Sequence, residues 1–300
     1  IWQEHGFGVY AINPSVIQSD TAGNAVFMGT GQVLQKFAYV SRTSGLQHTR
    51  GIASSPYGFI WYDAARKAVQ SIGTDRAELD LMGINSYINS LGTFGNNPVL
   101  GSGVVGVFNS ETNETFLFFN ESTTTGEGVI FNHTKKAWSH FVDGQPSMHI
   151  DYHGLAILPK AGSREVYRFG DGDQGSMFGT VYPSSVTVIL AEPTGVVKFL
   201  DNLFWNSECY NSAGIEQADK TVNKIRIYND HQDSGLIDLG HPDLVRLLRQ
   251  WRYVVPDAGR LERFQSQYFF VQLYTDNAEN LKLILQSLKY RYRPHPIPFM

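Results

Sequence analysis

Short apolar, aromatic and β-branched runs, several of them alternating with polar residues at a period of two, recur along the chain, and short Gly, Asn, Asp and Lys segments punctuate them. This is the pattern of half-buried strands joined by tight turns. Tyr57 to Asp63 is an aromatic, β-branched run; it stops at Ala64-Ala65-Arg66-Lys67 and resumes over Ala68 to Gly73. The same pattern predicts hairpins joining 104–108 to 114–119, 128–131 to 137–142, and 155–158 to 165–169. Helical spacing occurs at Leu81, Ile84, Ile88 and Leu91 and predicts one short helix within 78–89.

The second and third hairpins form a four-stranded meander over about 103–143, and units start near 57, 103 and 149. A four-stranded unit recurring every 45–50 residues or so is the spacing of propeller blades. Beyond Gly170-Asp171-Gly172-Asp173-Gln174-Gly175 the strands lengthen: 186–190, 196–200, 224–228, 267–274 and 282–288. That texture suits a sandwich. Leu244 to Val255 reads as one strand interrupted at Arg249 and ended by Pro256. The expected fold is therefore mainly β: a partial β-propeller over 1–175, a β-sandwich-like domain over 176–300, and one short helix.

Composition agrees with this. Charged residues are 17% of the 300, and aromatics reach 13% with 15 Tyr, 19 Phe and 5 Trp, which argues against a coiled coil, a disordered chain or a helical bundle. Few charges and many rings also fit a surface partly covered by neighbouring subunits. Net charge is −4, which gives no overall case for nucleic-acid binding, although residues 241–300 carry nine Lys/Arg against five Asp/Glu. The single cysteine, Cys209, excludes an intrachain disulfide and reads as a small packed hydrophobe. No apolar run of about 18 residues is present, so no membrane-spanning helix is expected.

Candidate chemistry is sparse. His149, Asp151 and His153 alternate; on one strand face they could ligate a divalent metal, and the competing reading is a polar strand face with Ile150 and Tyr152 turned inward. Asp171 to Gly175 has a calcium-loop flavour, but Gly175 and Tyr182 stand at the fifth and twelfth positions, where a ligating loop needs an acidic or Asn residue and a Glu, so a turn is the better reading. Three sequons, at Asn113, Asn120 and Asn132, compare with roughly two expected by chance. Nucleophile-elbow, Walker, dinucleotide-binding and zinc-protease motifs are missing, and so are the Asp-boxes of sialidase-type propellers. No catalytic residue, metal or cofactor is expected.

The order of segments is informative. Gly45 to Ile72 resembles a propeller blade of phage tail structural proteins. Tyr167-Arg168-Phe169-Gly170-Asp171-Gly172, then Phe178-Gly179, Val186 to Leu190, Lys198 to Leu203 into Asn206-Ser207-Glu208, Arg260, and Tyr290-Arg291-Tyr292-Arg293 follow in series. That series resembles the C-terminal half of the tail nozzle, or muzzle, proteins of short-tailed crAss-like phages, with departures at Leu200 and in the His-rich 149–153 segment. The resemblance implies a non-enzymatic virion tail protein, assembled as a distal ring that lines or closes the genome-ejection channel. Its implied partners are copies of itself, other tail proteins and, transiently, phage DNA. Three blades fall short of the four to eight or so in a closed propeller, and the chain starts at Ile1 with an abrupt strand-like segment, Trp2 to Ile12. An N-terminal fragment of the same polypeptide is accordingly the expected partner that completes it. The rival expectation is a carbohydrate-active or glycan-binding propeller and sandwich, for which the aromatics would serve as stacking platforms.

Overall fold

The structure is a computed structural model that describes residues 1–11, 16–19, 25–28, 36–73, 76–240, 244–255, 263–277 and 279–294. Ile12, Pro256 and Arg260 lie outside the described residues. Strand accounts for 53% of the structure and helix for 5%, in several antiparallel sheets, with no closed barrel among the described residues. The chain divides into two compact units, Ile1–Asp171 and Gly172–Met300.

In the first unit β1 (Phe7–Ala11) pairs with β4 (Lys36–Ser41), and β2 (Val16–Ser19) pairs with β3 (Ala25–Met28). Three meanders follow. The first is β5 (Ile52–Ser55), β6 (Gly58–Asp63), β7 (Ala68–Ile72) and β8 (Arg76–Glu78). The second is β9 (Gly103–Asn109), β10 (Glu114–Asn120), β11 (Gly126–Asn132) and β12 (Ala137–Asp143). The third has three strands, β13 (Ile150–Tyr152), β14 (Leu155–Pro159) and β15 (Val166–Arg168).

The hairpin turns share one chemistry. Asp63, Asn109 and Asn132 end their strands, and each side chain accepts from a turn N–H, of Arg66 (3.2 Å), Glu111 (3.0 Å) and Lys135 (2.9 Å) respectively. The fourth residue onward, Lys67, Asn113 or Lys136, takes a left-handed φ of 48°, 58° or 51° and reverses the chain. Asx turns of this kind need a short polar side chain at the strand end, which the sequence supplies each time.

Alternation then sends side chains to both faces of each sheet. Ile60 and Tyr62 of β6 meet Leu117 and Phe119 of β10 in one buried cluster, where Tyr62 sets its edge on Phe119 at 5.1 Å between ring centres. On the opposite face of β6, Trp61 is fully buried against Trp2 and Phe7, and its Nε1 donates to the Gly45 carbonyl (3.0 Å). On the opposite face of β10, Phe116 and Phe118 are buried, and Phe169 packs on Phe116 at 4.6 Å. Such aromatic pairs add about 0.5–1.5 kcal/mol each beyond area burial. The inner strands β5 and β9 run so close that a Cβ on Gly106 would stand 2.4 Å from the Ile52 carbonyl carbon.

The predicted helix is shorter than its periodicity suggests. A single 3-10 turn covers Asp80–Met82 and stops at Gly83, whose φ is 116°; α1 (Asn85–Ser90) follows. Ile84 and Ile88 enter the core, whereas Leu81 stays exposed. The left-handed glycine resets the helical phase and swings Leu81 out.

The second unit opens with β16 (Ser176–Met177) and β17 (Thr180–Val181) and continues as a sandwich. One sheet has the order β18 (Ser184–Leu190), β25 (Phe269–Thr275), β20 (Lys224–Tyr228), β21 (Ile237–Asp238). The other centres on β19 (Lys198–Tyr210), with β22 (Leu244–Leu247), β23 (Gln250–Val254) and β24 (Gln265–Ser266) on one side and β26 (Lys282–Pro294) along the other. Ile225, Phe269 and Val271 of the first sheet share a core with Leu203, Trp205 and Tyr253 of the second. The 13-residue pairing of β19 with β26 shifts register twice, between Leu200 and Asn202 and between Asn206 and Ser207. Leu244 to Val255 is a hairpin rather than one interrupted strand: Leu248 and Arg249 both take left-handed φ (49° and 66°), and β22 folds back on β23 with Leu247 opposite Gln250. Leu and Arg carry no turn signal, so alternation alone runs straight through them.

Two outcomes follow from this architecture. Gly106→Ala should lower the stability of the chain by about 2–3 kcal/mol in urea denaturation, because the added methyl forces β5 from β9; an unchanged midpoint would disprove the contact. The second concerns pH. Burial holds the imidazoles of His48, His133 and His149 below the ordinary value of 6.5. The unfolded chain therefore takes up protons before the folded one, so stability is full above about pH 6.5 and is lost as pH falls below it. The melting temperature should drop between about pH 7.5 and about pH 5.5, and a flat or rising profile would contradict the burial of these rings.

Candidate interaction surfaces

The strand alternation behind the candidate metal trio is broken. Only Ile150–Tyr152 is strand, and His153 (φ 52°) and Gly154 (φ 82°) form the turn into β14. Asp151 is spent locally, accepting from the Gly154 N–H at 2.9 Å. His149 is half-buried, and its Nε2 has no hydrogen-bond partner among the described residues. His153 instead sets its ring edge-on to Tyr152, 4.6 Å away. Among the described residues no group of three or more His, Cys, Asp or Glu is placed to hold a metal ion.

The expected inward turn of Ile150 and Tyr152 is also corrected. They are 43% and 61% exposed. The reason is register. Ile150 lies opposite Ile157, Tyr152 opposite Leu155, and Pro159 opposite Val166, which is 60% exposed. Directly opposed residues share a face. The inward face of this sheet is built instead from Ala156 and Leu158, both buried. The third meander thus turns an apolar face outward, whereas β6 and β10 of the other two meanders are packed on both faces.

The remaining sequence candidates have structural roles. Cys209 is buried in β19, and desolvation pushes its thiol pKa up, away from a reactive thiolate. In the Asp171–Gly175 segment the Gln174 N–H donates to the Asn280 Oδ1 at 2.7 Å, and the Asn280 amide donates to Asp173. Glycines 170, 172 and 175 take positive φ there. Asn120 is fully buried with its amide on the Pro146 carbonyl (2.7 Å), which leaves that sequon inaccessible to a glycan. Asn113 bridges Tyr57 and Thr134, and Asn132 donates to Glu114.

One feature carries no sequence signal. Lys198 is fully buried at the start of β19. Its Nζ donates to the carbonyls of Ala191 (2.6 Å) and Pro193 (2.9 Å) and stands 5.9 Å from the Tyr292 ring centre. Desolvation lowers its pKa, while the carbonyl dipoles and the ring face support the charge. In the one-dimensional pattern this lysine is simply a polar residue at a strand end. No helix among the described residues is long and apolar enough to cross a membrane.

Comparison with known proteins gives the chain its relatives. Residues 1–154 match the family model described as Crassvirus muzzle protein, and residues 172–256 match the model described as Crassvirus muzzle protein C-terminal domain. A search of curated proteins finds no match. The two family matches fall in the same order as the two units and together take in most of the 300 residues; the chain belongs to the crassvirus muzzle protein family.

Proposed function

We propose that this chain is a structural component of the distal tail of a crass-like phage, one of several copies that form a nozzle ring around the genome-ejection channel. The family is one of phage structural proteins, which supports a place in the virion. The observation that carries the reading further is the outward apolar face of β13–β15, with Ile150, Tyr152 and Val166 exposed together. A sheet that buries its other face on Ala156 and Leu158 gains by covering this one as well, since apolar area removed from water is worth about 25 cal/mol per Å². A neighbouring chain in the virion provides that cover: another copy, another tail protein, or the N-terminal part of the same polypeptide. In this reading the meanders act as propeller blades completed by that neighbour. The work is mechanical, a rigid wall held by buried sheet faces, and no catalytic step is assigned.

Imaging of whole particles should place the chain in a ring at the tail end farthest from the capsid, and density for it elsewhere would end the proposal. At residue level, Tyr152→Asp combined with Val166→Asp should leave the melting temperature within a few degrees and abolish incorporation into particles. Particles that incorporate the double variant normally would show that this face is not an interface.

A further inference from the structure

The outer face of the second unit's β19 sheet concentrates positive charge. Along β26 the inward residues Leu288 and Tyr290 pack on the sandwich core, so Lys289, Arg291 and Arg293 point outward, and all three are exposed. Register carries the charge across the sheet. Lys289 lies opposite Phe204 of β19, and Phe204 lies opposite Arg252 of β23, so a half-buried ring sits between two cations in one row. In the next row Arg291 lies opposite Asn202, whose Oδ1 accepts from Arg252 at 3.2 Å. Arg252, Arg263, Arg291 and Arg293 line a single open cleft. Among the described residues its one acidic side chain, Asp201, is paired with Arg293 at 2.7 Å. Lys289 and Arg291 have no ion-pair partner among the described residues.

We infer that this face binds the phosphate backbone of duplex DNA. Alternate residues on a strand are about 6.7 Å apart, roughly two 3.4 Å steps of a nucleic-acid strand, so Lys289, Arg291 and Arg293 form a rail whose spacing matches every second phosphate along the axis. Arginine forks suit phosphate oxygens, and three of the five cations on β26 and β23 are arginines. On the open face and cleft that these cations line, the contact is to the phosphate backbone, which carries no sequence information. A rail of this kind lets DNA slide, which is what a channel wall needs. The choice of DNA as the polyanion rests on the proposed channel role; the charged face itself does not.

The test is fluorescence anisotropy of a labelled 30-base-pair duplex with the full 300-residue chain across a salt series. The comparison variant is Arg252→Gln/Lys289→Gln/Arg291→Gln, and the control is Lys135→Gln/Lys136→Gln/Lys160→Gln, which removes equal charge from the first unit. The wild type should bind at about 50 mM salt, and the comparison variant should lose at least about tenfold in affinity and about 2 to 3 in the slope of log K against log salt, while the control loses neither. If the triple variant melts early, Arg252→Gln and Arg291→Gln singly, each worth about one unit of slope, decide the matter. Absence of duplex binding by the wild type, equal loss in the control, or tighter binding to anionic phosphatidylserine vesicles through the same residues would each overturn the assignment. The readout does not depend on where the chain sits in the particle. Particle imaging that moves the chain away from the channel would therefore defeat the proposed function and leave duplex binding standing.

Discussion

An apolar sheet face must be covered, and strands apolar on both faces must be covered on both; most of the first unit is arranged to satisfy that requirement. β6 places Ile60 and Tyr62 on one face and Trp61 on the other, and all three are buried. β10 places Leu117 and Phe119 on one face and Phe116 and Phe118 on the other, again all buried. Strands with this two-sided demand cannot stop at a single sandwich, because each added sheet covers one face and presents another. On one side of the sequence of meanders the demand is met by Trp2 and Phe7 closing over Trp61. On the other side it is left open at Ile150, Tyr152 and Val166. An unmet packing requirement, rather than a cluster of reactive groups, is what this unit offers for function.

The second unit solves a different problem. Its two sheets enclose one core around Trp205, Trp251 and Phe269, and their outer faces are free to be polar. The long β19–β26 pairing sets which residues face outward, and its register shifts near Asp201 and Asn206 decide which residues line up across it. Between those shifts lies the row Lys289, Phe204, Arg252. The buried Lys198 fixes the start of β19 by holding the carbonyls of Ala191 and Pro193, so the register begins from a tethered point. Breaking such a buried charged contact costs more than an exposed ion pair, because the carbonyls would be left without a donor in an apolar setting.

The local sequence determined the elements that depend only on neighbours along the chain. Short apolar and β-branched runs bounded by turn residues marked β6, β7, β9, β10, β11, β12 and β14 to within a residue or two, because strand propensity and turn chemistry are local whatever the partner. The turns were legible for the same reason: Asp63, Asn109 and Asn132 close onto backbone groups two or three residues away, a short-range interaction that needs no tertiary help. The basic bias of residues 241–300 was visible as composition. Tertiary structure decided the rest, because those features depend on residues far apart in the chain. Alternation says that Ile150 and Tyr152 share a face and Asp151 takes the other; only pairing with β14, and the burial of Ala156 and Leu158, says which of the two faces is wet. Gly83 cut the helix through its own preference for left-handed φ, a local signal that spacing alone passes over, whereas the Leu248-Arg249 reversal uses residues with no turn preference, so packing imposed that one against local propensity. Most tellingly, Arg252 belongs to β23 whereas Lys289 and Arg291 belong to β26. They become one charged surface only because β19, with Phe204 and Asn202, runs between them and sets them in register.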